Sequence, residues 1–295
     1  MVLTGQNLRG LNVVYSAAFN KAYEETPTNY QKVAMCVPSQ TRETNYAWMG
    51  QLPNMREWIN SRELSNLMLY DYSIKNKTFE LTVSIPVNDI ADDLISVYTP
   101  LIQEMGLSAK KHPDLLVFDL LGKGFSEKGY DGVSFFSDKH STGGKIQQSN
   151  VSTKKLNAES YAEARAQMMS LKGESGRPLN IMPDTLLVSP KNEAIARELL
   201  FADLIAGSSN INKNTCDLLV APELSEQPDK WFLLSTKRYV KPIVFQERER
   251  AKIVCKNKET DDNVFFDDNV IYGIKARYNV GYGLWQMAYG STGTE

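Results

Sequence analysis

The sequence predicts an α+β fold, and three features predict it. Residues 88–122 place apolar side chains at three- and four-residue steps and form a long, bent helical rod. Residues 79–86, FELTVSIP, alternate strictly between apolar and polar, with Pro86 closing the run, and form a strand. From residue 216 onward short strand-like runs dominate: CDLLVA, WFLLS, VKPIVFQ, AKIVCK, NVFF and NVIYGIKARYNVGYGLWQMAYG.

Taken in order, residues 1–44 mix polar and apolar side chains without a sustained period. Leu11, Val14, Tyr15, Ala18 and Phe19 have helical spacing for about two turns, so an arm with one short helix is expected. Residues 45–78 match neither period: Trp48, Met49, Leu52, Met55, Trp58 and Ile59 lie among Asn, Arg and Glu. Such a segment is expected to bury its aromatic and apolar residues against another chain. Asn88 is expected to cap the rod, with Asp89 and Asp92 in its first turn, and Pro100 to kink it before a second piece over 109–122.

Asn157 caps the next predicted helix, which carries Tyr161, Ala164, Met168 and Leu171 on one side and ends before SGRP. An α/β step follows, in which TLLV is a strand, Ser189 an N-cap and Pro190 the first position of the helix KNEAIARELLFADLIAG. In the last run Val270, Tyr272, Ile274, Ala276, Tyr278, Val280, Tyr282 and Leu284 share one face of an extended strand. Glycines 273, 281 and 283 share the other, where a close neighbour can approach.

Composition narrows the function. Lys and Arg total 33 against 35 Asp and Glu, so no global basic field exists to hold polyanions, and nucleic-acid contact must be local. The three cysteines, Cys36, Cys216 and Cys255, are far apart without a CxxC pair, and only two histidines are present to complete a metal site. Reduced thiols are expected, with Cys216 and Cys255 in core strands. The N-terminus lacks a signal peptide pattern and no apolar run approaches a membrane span. Neither cofactor nor metal is expected, and the adjacent aspartates at 92–93, 261–262 and 267–268 read as solvated carboxylates rather than a shared cation site.

One stretch looks catalytic. YDGVSFFSDKHSTGGK, residues 130–145, holds Ser134, Asp138 and His140 within seven positions. The members of a Ser/His/Asp triad come from separate parts of a fold, because the base must stand between nucleophile and carboxylate. No G-x-S-x-G elbow or H-E-x-x-H is present. A structural turn is therefore favoured, with a hydrolase using Ser134 and His140 as the alternative. The glycines of GKGFSEKG read as a helix end and a flexible turn rather than a phosphate loop. Lys237, Arg238 and Lys241, with Tyr239 between them, have the makeup of a sequence-independent nucleic-acid contact, against a default of salt-bridged sheet surface.

The series DLLVAPEL, WFLLSTKRYVKPIVFQERERAKI and VFFDDNVIYGIKARYNVGYGLWQMAYGS resembles the major head subunit family of Mu-like phages and prophages, and YDGVSFFSDKH resembles that family's connection after its long helix. The similarity runs in order from about residue 5 to the C-terminus. That family is similar to the Hong Kong 97-type capsid proteins of tailed phages. The resemblance implies an N-terminal arm at 1–44, an extended loop at 45–86 and a peripheral domain with a long spine helix at 87–179. It implies an axial domain at 180–245 and a return to the peripheral domain over 246–295. It further implies a self-assembling, non-enzymatic protein of the virion capsid, built in the bacterial host cytoplasm from pentamers and hexamers around packaged double-stranded DNA. The implied partners are other copies of the chain, a portal protein and a decoration protein, with no membrane. Only some 44 residues precede the loop, so a separate scaffold protein is expected. Some relatives of this fold join a lysine to an asparagine of a neighbouring chain. Lys75, Asn76 and Lys77 lie near the loop, but no carboxylate is evident to assist them, so that reaction is not expected.

Overall fold

A computed structural model describes residues 5–49, 70–92, 95–142, 146–173, 176–205, 207–258 and 260–295. Two sheets organise it. The first has four strands in the order Ala34–Pro38, Ile243–Lys256, Asn269–Tyr282, Lys77–Pro86, the outer pair on the 34–38 side parallel and the others antiparallel. The second has five, in the order Asp217–Val220, Thr185–Val188, Trp231–Leu234, Ala288–Ser291, Val151–Ser152.

The expected alternation of the last long run is borne out: Val270, Tyr272, Ile274, Ala276, Tyr278, Tyr282 and Leu284 are all buried, with Val280 partly so. VKPIVFQ and AKIVCK form one 14-residue strand, Ile243–Lys256, whose register shifts near Glu249 absorb the polar ERER stretch. NVFF is a correction, since residues Asp262–Phe265 form a short helix instead of a strand. Lys256 pairs with Ile271, so the intervening chain must reverse, and Asn263 holds the reversal by donating to the carbonyls of Lys256 and Asn269 at 3.0 and 2.6 Å.

The rod also differs at its start. A short helix, Val87–Ala91, precedes a 29-residue helix, Ile95–Lys123, that carries both Pro100 and Pro113. Asn88 does not cap; its amide donates to Asp268 at 2.9 Å across 180 residues. Two prolines inside one helix each remove an i to i−4 bond, and tertiary packing holds the helix at both ends: Ile102 and Met105 are buried near its start and Val117, Phe118 and Leu121 near its end. The helix then ends at Lys123, and a turn follows at Gly124, as the glycines predict.

The N-terminal helix, Gly5–Glu25, is longer than expected. Leu8, Leu11, Tyr15 and Phe19 are buried together with Ile85, Ile90, Ile102, Met105, Val270 and Tyr272 in a second, smaller core, while Val14 points outward. Most of the apolar face of this helix is therefore covered within its own chain.

In the second half, Asn157 caps Ala158–Met169 in a reciprocal capping box with Ser160. Ser189 does not cap: its hydroxyl donates to the Pro228 carbonyl at 2.5 Å, and a 3-10 turn, Pro190–Asn192, opens the helix Glu193–Phe201, which ends short of the expected Gly207. The final strand, Ala288–Ser291, pairs with Trp231–Leu234 in the five-stranded sheet. The last part of the chain thus serves both sheets: the strands Ile243–Lys256 and Asn269–Tyr282 join the first and Ala288–Ser291 the second. Cys216 is buried, Cys255 is half-buried and Cys36 is exposed on the edge strand Ala34–Pro38.

Candidate functional site

The stretch 130–145 is built as a structural plug. Phe135 stacks on Tyr282 at 4.5 Å between ring centroids and Phe136 packs against Phe232 at 5.4 Å, which fixes the connection between the two sheets. A Cβ at Gly124 or Gly290 would stand 2.8 Å from the Phe136 ring, so both positions leave room for it.

His140 is fully buried behind these rings and lies parallel to Trp285, 4.1 Å away. Its Nδ1 is 2.5 Å from Asp131 Oδ2. Its Nε2 faces the Phe135 carbonyl at 3.2 Å and Asn150 Oδ1 at 3.1 Å, both acceptors, so Nε2 carries a proton and donates. The 2.5 Å contact is attractive only with a further proton between Nδ1 and the carboxylate. Asn150 completes the cluster: Oδ1 accepts from the Ser137 amide at 2.8 Å, and Nδ2 donates to the carbonyls of Phe135, Trp285 and Ala288.

Both ring nitrogens are therefore engaged, and neither is turned toward a hydroxyl. The carboxylate partner is Asp131, not Asp138, which is exposed. Ser134 instead forms a backbone bridge with Lys128. The expected structural turn is what the geometry supports. Sequence reasoning missed Asp131 and Asn150, although both lie in or beside the quoted stretch.

The base of segment 45–72 forms a second polar cluster. Strands Glu43–Asn45 and Ser73–Lys75 pair antiparallel and form a narrow two-stranded stem. Gln246, fully buried in the first sheet, holds that stem. Its Oε1 accepts from the Tyr46 hydroxyl at 2.8 Å, and its Nε2 donates to the Ile74 carbonyl at 3.1 Å and to Asn76 Oδ1 at 2.9 Å. Asn76 passes the network on by donating to Ser39 Oγ at 3.0 Å and the Thr41 carbonyl at 2.9 Å. Every side-chain donor and acceptor of Gln246 thus bridges loop to sheet. A glutamine inside the apolar run IVFQ was the signal available in the sequence. The Tyr46 hydroxyl is pushed up to about 12 by burial, consistent with a neutral donor.

Of the residues expected to meet a neighbouring chain, Trp48 keeps 42% of its surface exposed. Met49 is a correction: it is fully buried in the main core of its own chain, through a tight turn in which its amide donates to the Tyr46 carbonyl at 3.0 Å. Leu52, Met55, Trp58 and Ile59 lie outside the described residues.

The basic cluster is partly committed within the chain. Arg238 donates to the carbonyls of Leu179 and Asn180 at 2.8 and 2.7 Å, and Lys241 to those of Gln31 and Lys32 at 2.5 and 3.1 Å. Lys237 is exposed and lies 3.4 Å from Asp217, a surface pair of little energetic weight. Tyr239 projects fully into solvent. Among the described residues no His, Cys, Asp and Glu side chains converge to hold a metal ion, and no helix is long and apolar enough to cross a membrane.

The second histidine, His112, sits on the long helix with Nδ1 2.8 Å from the Tyr278 hydroxyl and its ring 4.4 Å from that of Phe79. Burial lowers its proton affinity. It borders a cleft of roughly 110 Å³ between helix and sheet, with Ser108, Ala251 and Ile274 among its walls. Ser108 and Glu80 line the same cleft, but among the described residues His112 pairs with Tyr278 and Glu80 accepts from Thr82 rather than from His112.

Comparison with known proteins finds relatives among phage head subunits. The model of the Mu-like prophage major head subunit gpT matches residues 8–155, 144–224 and 223–294. The chain is 31% identical over 288 residues to the major capsid protein of Escherichia phage Mu, covering 98% of this chain and 74% of that protein. It is 30% identical over 291 residues to the Mu-like prophage FluMu major head subunit of Haemophilus influenzae, covering 99% and 75%. In structure it is similar to a chain of the procapsid of bacteriophage JBD30, with a TM-score of 0.63 and 30% identity over 98% of this chain and 76% of that one. A virus-like particle from Pyrococcus furiosus shares the fold alone, with a TM-score of 0.53 at 10% identity over 94% and 97%. The fold is thus that of the Hong Kong 97-type capsid proteins, and the chain belongs to the Mu-like prophage major head subunit gpT family.

Proposed function

We propose that the chain is the shell subunit of a Mu-like phage or prophage head, assembling with its own copies into pentamers and hexamers that close around packaged double-stranded DNA. The observation that carries this reading is similarity in both sequence and fold, over 98% of the chain, to subunits of phage heads. The chemistry of its buried histidine supports it, because both ring nitrogens of His140 serve the packing of the subunit. The hydrolase alternative, which needs Ser134 beside His140, has no support in this geometry.

In this reading residues 1–44 are the arm, 45–86 the extended loop, 87–179 the peripheral domain with its spine helix, 180–245 the axial domain and 246–295 the return. The stem clamped by Gln246 is where the loop would be presented to a neighbour, with Trp48 at its root. Scaffold and portal proteins are proposed as partners in the host cytoplasm. A decoration protein is a further proposed partner, since the JBD30 capsid is decorated with minor capsid protein trimers. The enclosed DNA is proposed to meet Lys237, whose ammonium is the most accessible of the three basic groups, with Arg238 and Lys241 beside it.

The test is the mass distribution of the expressed chain by analytical ultracentrifugation, alone and with its candidate scaffold, with negative-stain microscopy of fast fractions. Shells, tubes or capsomer rings are the expected result. A folded monomer that never assembles under either condition overturns the reading.

A further inference from the structure

The outer face of the first sheet carries chemistry that its own chain leaves unmatched. In the long hairpin Lys252 faces Lys275 and Val254 faces Gly273; across the next pairing Gly273 faces Thr82 and Lys275 faces Glu80. These residues alternate with buried Tyr272, Ile274 and Ala276, so they project away from the core. Of the three glycines on this side of the strand, two are filled from within. A Cβ at Gly281 would meet Ile74 Cδ1, and one at Gly283 would meet the Lys241 carbonyl oxygen.

Gly273 is different. The nearest atoms to a Cβ there are Thr82 Oγ1 at 3.5 Å and Val254 Cγ2 at 3.9 Å, so bare backbone floors a shallow depression beside a valine that is 61% exposed. Its rim is cationic. Lys252 and Lys275 oppose one another on the ladder, an arrangement that repels, and among the described residues neither forms an ion pair. Glu80, across from Lys275, instead accepts from the Thr82 hydroxyl at 2.7 Å.

The same chain carries a complementary group. At the hairpin tip Phe265 and Phe266 are 73% and 75% exposed and meet edge to face at 5.0 Å, bracketed by Asp261, Asp262, Asp267 and Asp268. Within one subunit the rings stand in solvent and the depression lies open.

We propose that the acidic aromatic tip 261–268 of one copy docks on the outer sheet face of a neighbouring copy. A phenylalanine ring lies over Gly273 against Val254, and the aspartates face Lys252 and Lys275. The contact covers exposed aromatic surface, relieves the lysine pair and adds cation–π attraction at the rim. It joins two different patches, so repeated around an axis it closes a ring of copies. It rests on the shell reading above.

Three variants test it in the full chain, expressed with its candidate scaffold. K252E/K275E reverses the rim, G273L fills the depression, and K252E/K275E/D262K/D267K exchanges the charges of both patches. Particle yield is read by sedimentation, and folding by thermal melting of the unassembled protein. The first two are expected to melt like wild type and to lose about tenfold or more in particle yield, and the fourfold variant to recover most of it. If G273L does not fold, the charge variants decide alone. Wild-type yields from K252E/K275E, or no recovery in the fourfold variant, overturn the contact and leave the shell reading standing. Normal particles that lose only nuclease-protected DNA assign the lysines to DNA and likewise overturn it. A wild-type chain that forms no particles overturns the shell reading and this contact together.

Discussion

Replacing His140 by alanine removes a ring that touches Asp131, Asn150 and Trp285 at once. Asp131, whose side chain is 9% exposed, loses its partner at 2.5 Å; Asn150 Oδ1 loses one of two donors; and Trp285 loses the ring stacked 4.1 Å away. Removing one member of a buried charge-assisted pair costs about 3–5 kcal/mol, because the survivor stays buried without compensation. Of the other contacts, the Phe135 carbonyl still accepts from Asn150 Nδ2 at 2.9 Å and the Asn150 oxygen still accepts from Ser137, so little is added from them. A total of about 3–5 kcal/mol is a large part of the ~5–15 kcal/mol stability of a folded domain. It lowers the melting temperature by roughly 6–15 °C.

The assay is thermal unfolding of the unassembled subunit, with particle yield measured at a temperature where the variant is folded. Particles are expected to form below the lowered transition. The double variant D131N/H140A should be less destabilised than the two single changes add up to, by about 1–3 kcal/mol, because the orphaned charge is gone. An H140A protein that melts within about 2 °C of wild type refutes the structural role. So does one that keeps its stability but loses a chemical activity.

Gln246→Leu keeps the volume but strands the Tyr46 hydroxyl, the Ile74 carbonyl and Asn76 Oδ1, and should cost about 2–4 kcal/mol. Hydrogen exchange should quicken first at residues 43–46 and 73–76, and unchanged exchange there would show that the stem is held elsewhere. For His112 burial lowers the folded-state proton affinity, so the unfolded chain binds more protons as pH falls below about 6.5. Its contribution to stability is therefore present above that pH and declines on acidification; His112→Gln should flatten the fall in melting temperature between about pH 6.5 and 5. Lys237→Ala should lower the salt slope of non-specific duplex binding by about 1, whereas Arg238→Ala should chiefly loosen residues 179–180, to whose carbonyls it donates.

Much of the fold was legible because its strands are locally consistent. The strict alternation over Val270–Leu284 leaves one register that buries the apolar face, and Asn157 with Ser160 announces a helix start. The misreadings occur where a distant partner overrides a local preference. Asn88 and Ser189 both have good capping chemistry, yet each bonds to a residue remote in sequence, Asp268 and Pro228. NVFF has strand composition but must turn, because the two long strands on either side are already paired. The buried clusters were the least legible. His140 drew attention as a titratable group in a turn, but its partners are fixed by how the 124–150 connection folds back onto Trp285, and spacing along the chain does not encode that.

The two buried polar clusters stand at junctions of the subunit. The one at His140 ties the connection after the long helix to the segment leading from the first sheet into the second, through Trp285 and Ala288. The one at Gln246 ties the stem of the loop to the middle of the first sheet. Apolar contacts at such places would tolerate sliding, because dispersion and burial are weakly directional. A fully satisfied hydrogen-bond network permits one arrangement and penalises its neighbours. In the shell proposed above, where one chain meets identical copies around both five-fold and six-fold axes, that distinction matters. Small angular errors at an internal junction are carried to the far end of a 29-residue helix or a 14-residue hairpin strand, where they become displacements at the contact surface. Rigidity placed inside the subunit leaves adjustment to its exposed parts, such as Trp48 at the root of the loop and Phe265 and Phe266 at the hairpin tip.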